Sequence, residues 1–253
     1  MKDKVVIVTG ASSGIGKATA ALFARNGAKV IAVGRKQGEL DDLRASLPAK
    51  AGEMKIQLAD VREHSQIDRM VAETVDAFGH IDVLVNAAGI IKGGSIEDTT
   101  LDDWDKMMTV NLRSVFYLTQ KCVPHITEQT GNIVNISSVA GTRAFPNLLA
   151  YCVSKAAIDQ FTRCTALELA AKGIRVNAVN PGVVVTNLHS RGGMEDEAYA
   201  AFIERSKETH PLGRPGNADE IAELIYFLAS DKAGWITGAT YAIDGGRALT
   251  CAR

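Results

Sequence analysis

The segment from Val5 to Gly16 constrains this chain more than any other. Five residues suited to a buried strand, Val5-Val6-Ile7-Val8-Thr9, run into Gly10-Ala11-Ser12-Ser13-Gly14-Ile15-Gly16. A helical pattern follows from about Lys17 to Asn26. A short apolar strand that turns on glycines into a helix opens a parallel βαβ unit. Glycines let the chain turn tightly and let its backbone approach a phosphate. The helix N-terminus then offers free N–H groups and a positive dipole end. The spacing is G-x3-G-x-G, not the commoner G-x-G-x-x-G. Its position, closing the first strand and opening the first helix, is what points to pyrophosphate.

The same alternation continues along the chain. Lys29–Val33, Lys55–Ala59, Val83–Val85, Asn132–Ser137, Arg175–Val179 and Thr240–Ile243 read as further strands. Several are apolar at consecutive positions, which implies burial on both sheet faces. Between them apolar residues recur at helical spacing: Leu40, Leu43 and Leu47; Ile67, Met70, Val71, Val75 and Phe78; Ile221, Leu224, Ile225 and Leu228. Asn217 with Glu220 three residues on forms a capping-box pair before the last helix. The pattern predicts an α/β fold with a doubly wound parallel sheet. With no linker, repeat or composition break, residues 1–253 read as one domain. The polar stretch of about 187–211, containing Gly192-Gly193, reads as a lid inserted late in the chain.

Composition narrows the function classes. The 28 Lys+Arg and 29 Asp+Glu give a net charge of −1, so no basic excess suggests nucleic acid. No apolar run approaches the ~18 residues of a membrane span. The run Val5–Val8 is too short for a secretory leader core, so the expected setting is cytoplasmic. Cys122, Cys152, Cys164 and Cys251 form no C-x-x-C pair and read as free thiols. The five scattered histidines suggest no metal site.

Three further features carry chemistry. The second strand ends Val33-Gly34-Arg35-Lys36. An acid at this place in a dinucleotide fold would hold ribose hydroxyls and select NAD. Here Gly34 replaces it and Arg35 follows, and a guanidinium can grip a 2′-phosphate, so NADP(H) is expected over NAD(H). Tyr151 and Lys155 stand at i, i+4 on one helix face. A cation beside a phenol favours phenolate and makes the pair a plausible proton donor and acceptor. Ser138 follows a strand, where its hydroxyl would face a substrate.

Taken in order, these residues resemble the short-chain dehydrogenase/reductase family, in its form of about 250 residues, over essentially the full length. The matches are Thr9-Gly10-x3-Gly14-Ile15-Gly16, Asp60, Asn86-Ala87-Ala88-Gly89, Asn111, Ser138, Tyr151-x3-Lys155, Pro181-Gly182 and Asp244-Gly245-Gly246. The resemblance implies a seven-stranded Rossmann-type sheet ordered 3-2-1-4-5-6-7 and hydride transfer between a nicotinamide and a carbonyl or alcohol. It implies Tyr151 as general acid/base, Lys155 on the nicotinamide ribose, and Ser138 on the substrate carbonyl. Asn111 would place a water that relays protons to Lys155.

The resemblance further places Gly10, Ser12, Ser13, Gly14, Ile15 and Gly16 on the phosphates, and Arg35 at the 2′-phosphate. Asp60 and Val61 would flank the adenine. Asn86, Ala87 and Gly89 would line the cofactor, and Pro181, Gly182, Val184 and Thr186 would meet its nicotinamide side. Two long helices, around Asp103–His125 and Tyr151–Lys172, would pack into a homotetramer. The expected pocket walls are Ile91, Thr142, Arg143, Phe145, Leu188, Tyr199 and Phe202, which suit a medium-sized, mostly apolar carbonyl compound. Among relatives, 3-oxoacyl-carrier-protein reductase is the nearest well-known reading, although Thr127-Glu128-Gln129-Thr130 offers an acid and no base to an acidic carrier. A redox-sensing, non-catalytic binder of NADPH is a third reading. An epimerase or dehydratase of the extended branch fits neither the length nor the glycine spacing.

Overall fold

The computed structural model describes residues 1–128 and 130–250. Gln129 and Cys251, both named above, lie outside the described residues.

Side-chain alternation assigns two faces to the sheet. In β1 (Val5–Thr9), Val6 and Val8 enter one core while Val5 and Ile7 enter the other. In β2 (Lys29–Gly34), Val30 and Ala32 join the first core, and Ile31 and Val33 the second. A strand that is apolar on both faces must be covered on both, and this places helices above and below. With β3 (Met54–Leu58), β4 (Val83–Asn86), β5 (Asn132–Ile136), β6 (Arg175–Pro181) and β7 (Thr240–Ile243), the strands pair in parallel in the order 3-2-1-4-5-6-7. This agrees with the expected sheet. The chain winds outward through β3, then crosses back to lay β4 against β1, and that reversal opens a crevice beyond their C-terminal ends.

The first core is closed by α1 (Gly14–Arg25) and α9 (Ala218–Ala229). Its largest member is Phe23, fully buried, whose ring meets Tyr226 edge-on at 5.2 Å. Burying one such side chain is worth about 1.5–3 kcal/mol. α2 (Gln37–Ala45) adds Leu40 and Leu43 to this core. The second core is closed by α3 (His64–Phe78), α5 (Ser114–Cys122) and α6 (Leu149–Leu169). Among the described residues, no helix is long and apolar enough to cross a membrane.

Several strand and helix ends shift by one to three residues from the sequence expectation, and three elements differ more. The helix expected over Asp103–His125 is interrupted. α4 (Leu101–Met108) passes into a π-helical turn, Thr109–Arg113, before α5, and a 3-10 turn, Val123–His125, containing Pro124 ends the run. The π turn accommodates one extra residue and presents Asn111 inward, where its side chain is fixed to the backbone of Ile90. β6 runs two residues further than expected, with Pro181 as its last residue. The polar segment of about 187–211 is mostly helical: α7 (Leu188–Arg191) and α8 (Asp196–Thr209).

The capping box at α9 is present in both directions. The Asn217 side chain accepts from the Glu220 N–H at 3.0 Å, and the Glu220 carboxylate accepts from the Asn217 N–H at 2.9 Å. Arg214 and the Asn217 N–H hold the Glu220 carboxyl down at about 2. This interaction is present above the ordinary carboxylate range and is lost as pH falls towards 2. Asn217→Ala is expected to cost about 1 kcal/mol, a fall of roughly 2–4 °C in melting temperature by calorimetry at neutral pH.

Candidate active site

The crevice holds a cavity of about 610 Å³. Its floor is the glycine turn. Gly10 and Gly14 adopt φ of +67° and +53°, a region that glycine enters without strain. A Cβ on Gly16 would stand 2.4 Å from the Gly10 carbonyl oxygen, so the turn closes as tightly as its backbone permits. Thr9 ties this turn to the next strand. Its hydroxyl accepts from the N–H groups of Ala87 and Ala88, both at 3.0 Å, and lies 3.4 Å from the Val85 carbonyl.

At one end of the cavity Arg35 lies beside Asp60, 3.7 Å between Nη1 and Oδ2. Asp60 also receives a forked contact from Arg62 at 2.6–3.0 Å. The Arg62 hydrogen bond holds its carboxyl below the usual carboxylate range, against the opposing effect of burial. Lys36 pairs with Glu39 at 2.8 Å. Arg35, Lys36 and Arg62 all line this end, which is therefore rich in cations.

At the other end stand the groups able to react. Ser138 is nearly buried, and its Oγ accepts from the Ala140 N–H at 3.1 Å. Tyr151 is also buried, and the Ser138 side chain acts on its phenol. Lys155 donates from Nζ to the Ile136 carbonyl at 2.8 Å, and Nζ lies 5.7 Å from the centre of the Tyr151 ring. Burial pulls the Lys155 ammonium down to about 8, against the Asp159 carboxylate. Burial likewise pushes the Tyr151 phenol up to about 12, with the Ser138 hydrogen bond acting the other way. A lowered phenol pKa was the expectation from the neighbouring lysine. In this structure desolvation raises it instead.

Asp159, one helical turn beyond Lys155, supports this arrangement from behind. It is buried, and both of its oxygens accept from Asn180 Nδ2, at 3.1 and 2.9 Å. Asn180 Nδ2 also holds the Ser138 carbonyl at 3.0 Å. The ends of β5 and β6 and the middle of α6 are thus tied at one point.

Most of the residues singled out from sequence meet in this cavity. Gly10, Ser12, Ser13, Gly14, Ile15 and Gly16 line it with Arg35, Asp60, Val61, Ala87 and Gly89. So do Ser138, Tyr151 and Lys155, then Pro181, Gly182, Val184 and Thr186, and finally Ile91, Phe145, Leu188 and Phe202. Five do not line it. Asn86 is buried in the sheet, donating to Asn135 Oδ1 at 2.9 Å and Thr119 Oγ1 at 3.3 Å. Asn111 is buried behind the cavity, bonded to both the N–H and the carbonyl of Ile90 and to Ser154 Oγ. Arg143, expected in the substrate wall, instead donates to the carbonyls of Arg247 and Thr250. Its neighbour Thr142 bonds locally to the Val139 carbonyl. Tyr199, expected to touch substrate, turns its hydroxyl to the backbone of Thr186, 3.0 Å from the carbonyl and 3.3 Å from the N–H.

Sequence reasoning missed Arg191, His189 and Arg247, which also line the cavity. It missed His210, whose Nε2 accepts from the Val183 N–H at 3.1 Å. Each is a polar residue in a stretch without periodicity, and no local signal marks it.

The fold and cavity define a dinucleotide-dependent oxidoreductase scaffold, and comparison with known proteins carries this to a family. Residues 10–248 match the family model described as Enoyl-(Acyl carrier protein) reductase. The chain is 40% identical to the 3-oxoacyl-[acyl-carrier-protein] reductase of Thermotoga maritima, over 97% of this chain and 98% of the relative. It is 36% identical to a meso-2,3-butanediol dehydrogenase of Serratia marcescens, over 96% and 94%. Among solved structures, a short-chain dehydrogenase/reductase of unknown function from Caenorhabditis elegans, with cofactor, superposes with a TM-score of 0.91. That protein is 40% identical, and the match covers 98% of this chain and 96% of it. The chain belongs to the short-chain dehydrogenase/reductase family, oxidoreductases that act on CH–OH and C=O groups with NAD(P)(H).

The residues present fit such a cofactor. The glycine cradle has no room for side chains, and the cavity volume lies within the roughly 300–1,000 Å³ of small-molecule sites. Because Tyr199 buttresses Thr186 rather than a substrate wall, Tyr199→Phe is expected to weaken dinucleotide binding about fivefold, the worth of one modest hydrogen bond. The KM for the carbonyl substrate should stay unchanged in steady-state kinetics.

Proposed function

We propose that this protein is an NADP(H)-dependent reductase of a ketone or aldehyde, or the reverse dehydrogenase, with Tyr151 as general acid/base. The observation that carries this reading is convergence. Ser138, Tyr151 and Lys155 share one cavity with the glycine turn and with Arg35. The nicotinamide, when bound, supplies or accepts the hydride. Ser138 holds the substrate oxygen beside the Tyr151 hydroxyl. Tyr151 gives that oxygen its proton during reduction and takes it back during oxidation. Lys155 holds the nicotinamide ribose, and its charge favours proton loss from Tyr151. Asn111 holds the Ile90 segment and the water that relays protons to Lys155. The excess of cations around Arg35 supports NADP(H) over NAD(H).

The assembly and setting follow the same reading. Residues 1–253 act as one domain, with α7 and α8 as a lid over the substrate. Phe116, Val153 and Leu167 are exposed apolar residues on α5 and α6, and Trp235 and Leu249 are exposed around β7. These faces support a homotetramer. The three described cysteines are unpaired, in keeping with a cytoplasmic protein. A second reading, 3-oxoacyl-carrier-protein reductase, is favoured by the 40% identity to the Thermotoga maritima enzyme.

Two outcomes test the reading. NADPH consumption over a panel of ketones, aldehydes and 3-oxoacyl thioesters should exceed NADH consumption, and Tyr151→Phe should lower kcat by about 10²–10⁴-fold. A non-catalytic sensor would bind NADPH and show no rate sensitive to Tyr151. The pH profile has a defined sign. The Tyr151 phenol stays protonated at neutral pH, whereas the Lys155 charge is lost as pH rises through about 8. The kcat/KM for reduction should therefore fall above about pH 8, and that for oxidation should rise with pH only up to about 8, where the Lys155 charge that favours proton loss from Tyr151 is lost.

A further inference from the structure

The Arg191 side chain ties the lid to the phosphate turn. Arg191, the last residue of α7, donates from Nη1 to Ser13 Oγ at 2.7 Å. Its Nη2 meets both carboxylate oxygens of Glu39, at 3.2 and 3.1 Å. These contacts join residues 178 and 152 positions apart in sequence. Arg191 lines the same cavity as Ser12, Ser13 and Gly14.

The charge balance at this point is uneven. Ser13 is the N-cap of α1, and its hydroxyl makes no capping bond to the helix. The N-terminus of a helix is its positive end, and a cation placed there is unfavourable. The first turn of α1 contains no acidic residue to offset it, and Lys17 follows at its edge. Glu39 is the nearby acid, but it also serves Lys36 at 2.8 Å. One carboxylate therefore stands against two cations and a helix dipole. An anion at Ser13 would relieve all three. A guanidinium carries five N–H donors, and the contacts to Ser13 and Glu39 engage only its two terminal nitrogens. It can keep Glu39 and still grip a phosphate oxygen.

We propose that Arg191 is a ligand of the dinucleotide pyrophosphate, carried to the phosphate turn by the lid. The inference rests on the dinucleotide reading given above. It makes the lid part of the cofactor site as well as the substrate site. Cofactor binding then orders α7, and release of cofactor requires the lid to let go.

The test measures binding without any carbonyl substrate. Dissociation constants for NADPH, NADH and adenosine 2′,5′-bisphosphate are measured for the wild type, Arg191→Gln and Arg191→Lys. Hydrogen exchange over residues 187–195 is followed with and without NADPH. Arg191→Gln is expected to weaken NADPH and NADH by the same factor, about tenfold, as befits a hydrogen bond between charged groups. Adenosine 2′,5′-bisphosphate, which lacks the pyrophosphate, should bind unchanged. NADPH should slow exchange over 187–195 in the wild type and much less in Arg191→Gln. Arg191→Lys, which keeps the charge and loses the fork, should fall between them. Unchanged NADPH and NADH binding in Arg191→Gln overturns the proposal. So does a loss confined to NADPH, which would assign Arg191 to the 2′-phosphate. A wild type that binds neither dinucleotide overturns the functional reading as well, so the two failures are distinguishable.

Discussion

The Thr9 hydroxyl ties the end of β1 to the segment that follows β4, at the root of the crevice. Where β1 and β4 end, their chains leave the sheet in different directions, and backbone donors lose their strand partners. Thr9 meets two of these donors, at Ala87 and Ala88, inside the protein. An unpaired buried N–H costs about 1–3 kcal/mol, so this one side chain stabilises the divergence of the strands. The glycine turn on one side and the Ala87–Gly89 segment on the other are held at a fixed separation. The glycine turn, Arg35, Ser138, Tyr151 and Lys155 all line the cavity that opens there.

Tyr151 and Lys155 are held in places that their own chemistry disfavours. A buried ammonium and a buried phenol are both driven towards their neutral forms. The surroundings offset this with backbone oxygen and one carboxylate. Ile136 supplies a carbonyl to Lys155, and Asp159 supplies negative charge from one helical turn away. Asp159 is bound by Asn180, which also holds the Ser138 carbonyl. Removing the carboxylate would disturb the serine and the lysine together, because Asp159 acts on Lys155 through its charge and on Ser138 through Asn180. The protonation of the pair and the position of the hydroxyl are therefore not independent properties.

Much of the fold was legible because a sheet buried on both faces leaves continuous apolar runs, and β1 and β2 display them clearly. The Tyr151–Lys155 pair was legible because helix geometry alone puts i and i+4 on one face. What was not legible depends on distant chain segments. Arg143 sits at a plausible wall position, but the carbonyls that hold it come from residues more than 100 positions later. Tyr199 and Arg191 lie in a polar stretch whose packing partners, Thr186 and Ser13, carry no matching pattern. Asn111 falls in a helical run whose phase slips at a π turn, and periodicity assumes that no slip occurs. Asn86 shows the reverse case. At the end of β4 it opens the segment expected to line the cofactor, yet its side chain turns into the sheet and bonds to Asn135.

The contacts that fix Arg143 also divide the cavity by sequence distance. The glycine turn is local, built within Gly10–Gly16, and the segment facing it is complete by Gly89. On the opposite side Arg247 lines the cavity, and its carbonyl, with that of Thr250, receives Arg143 across more than 100 positions. A disturbance at Arg247 or Thr250 therefore reaches the Arg143 loop while the glycine turn keeps its own local support.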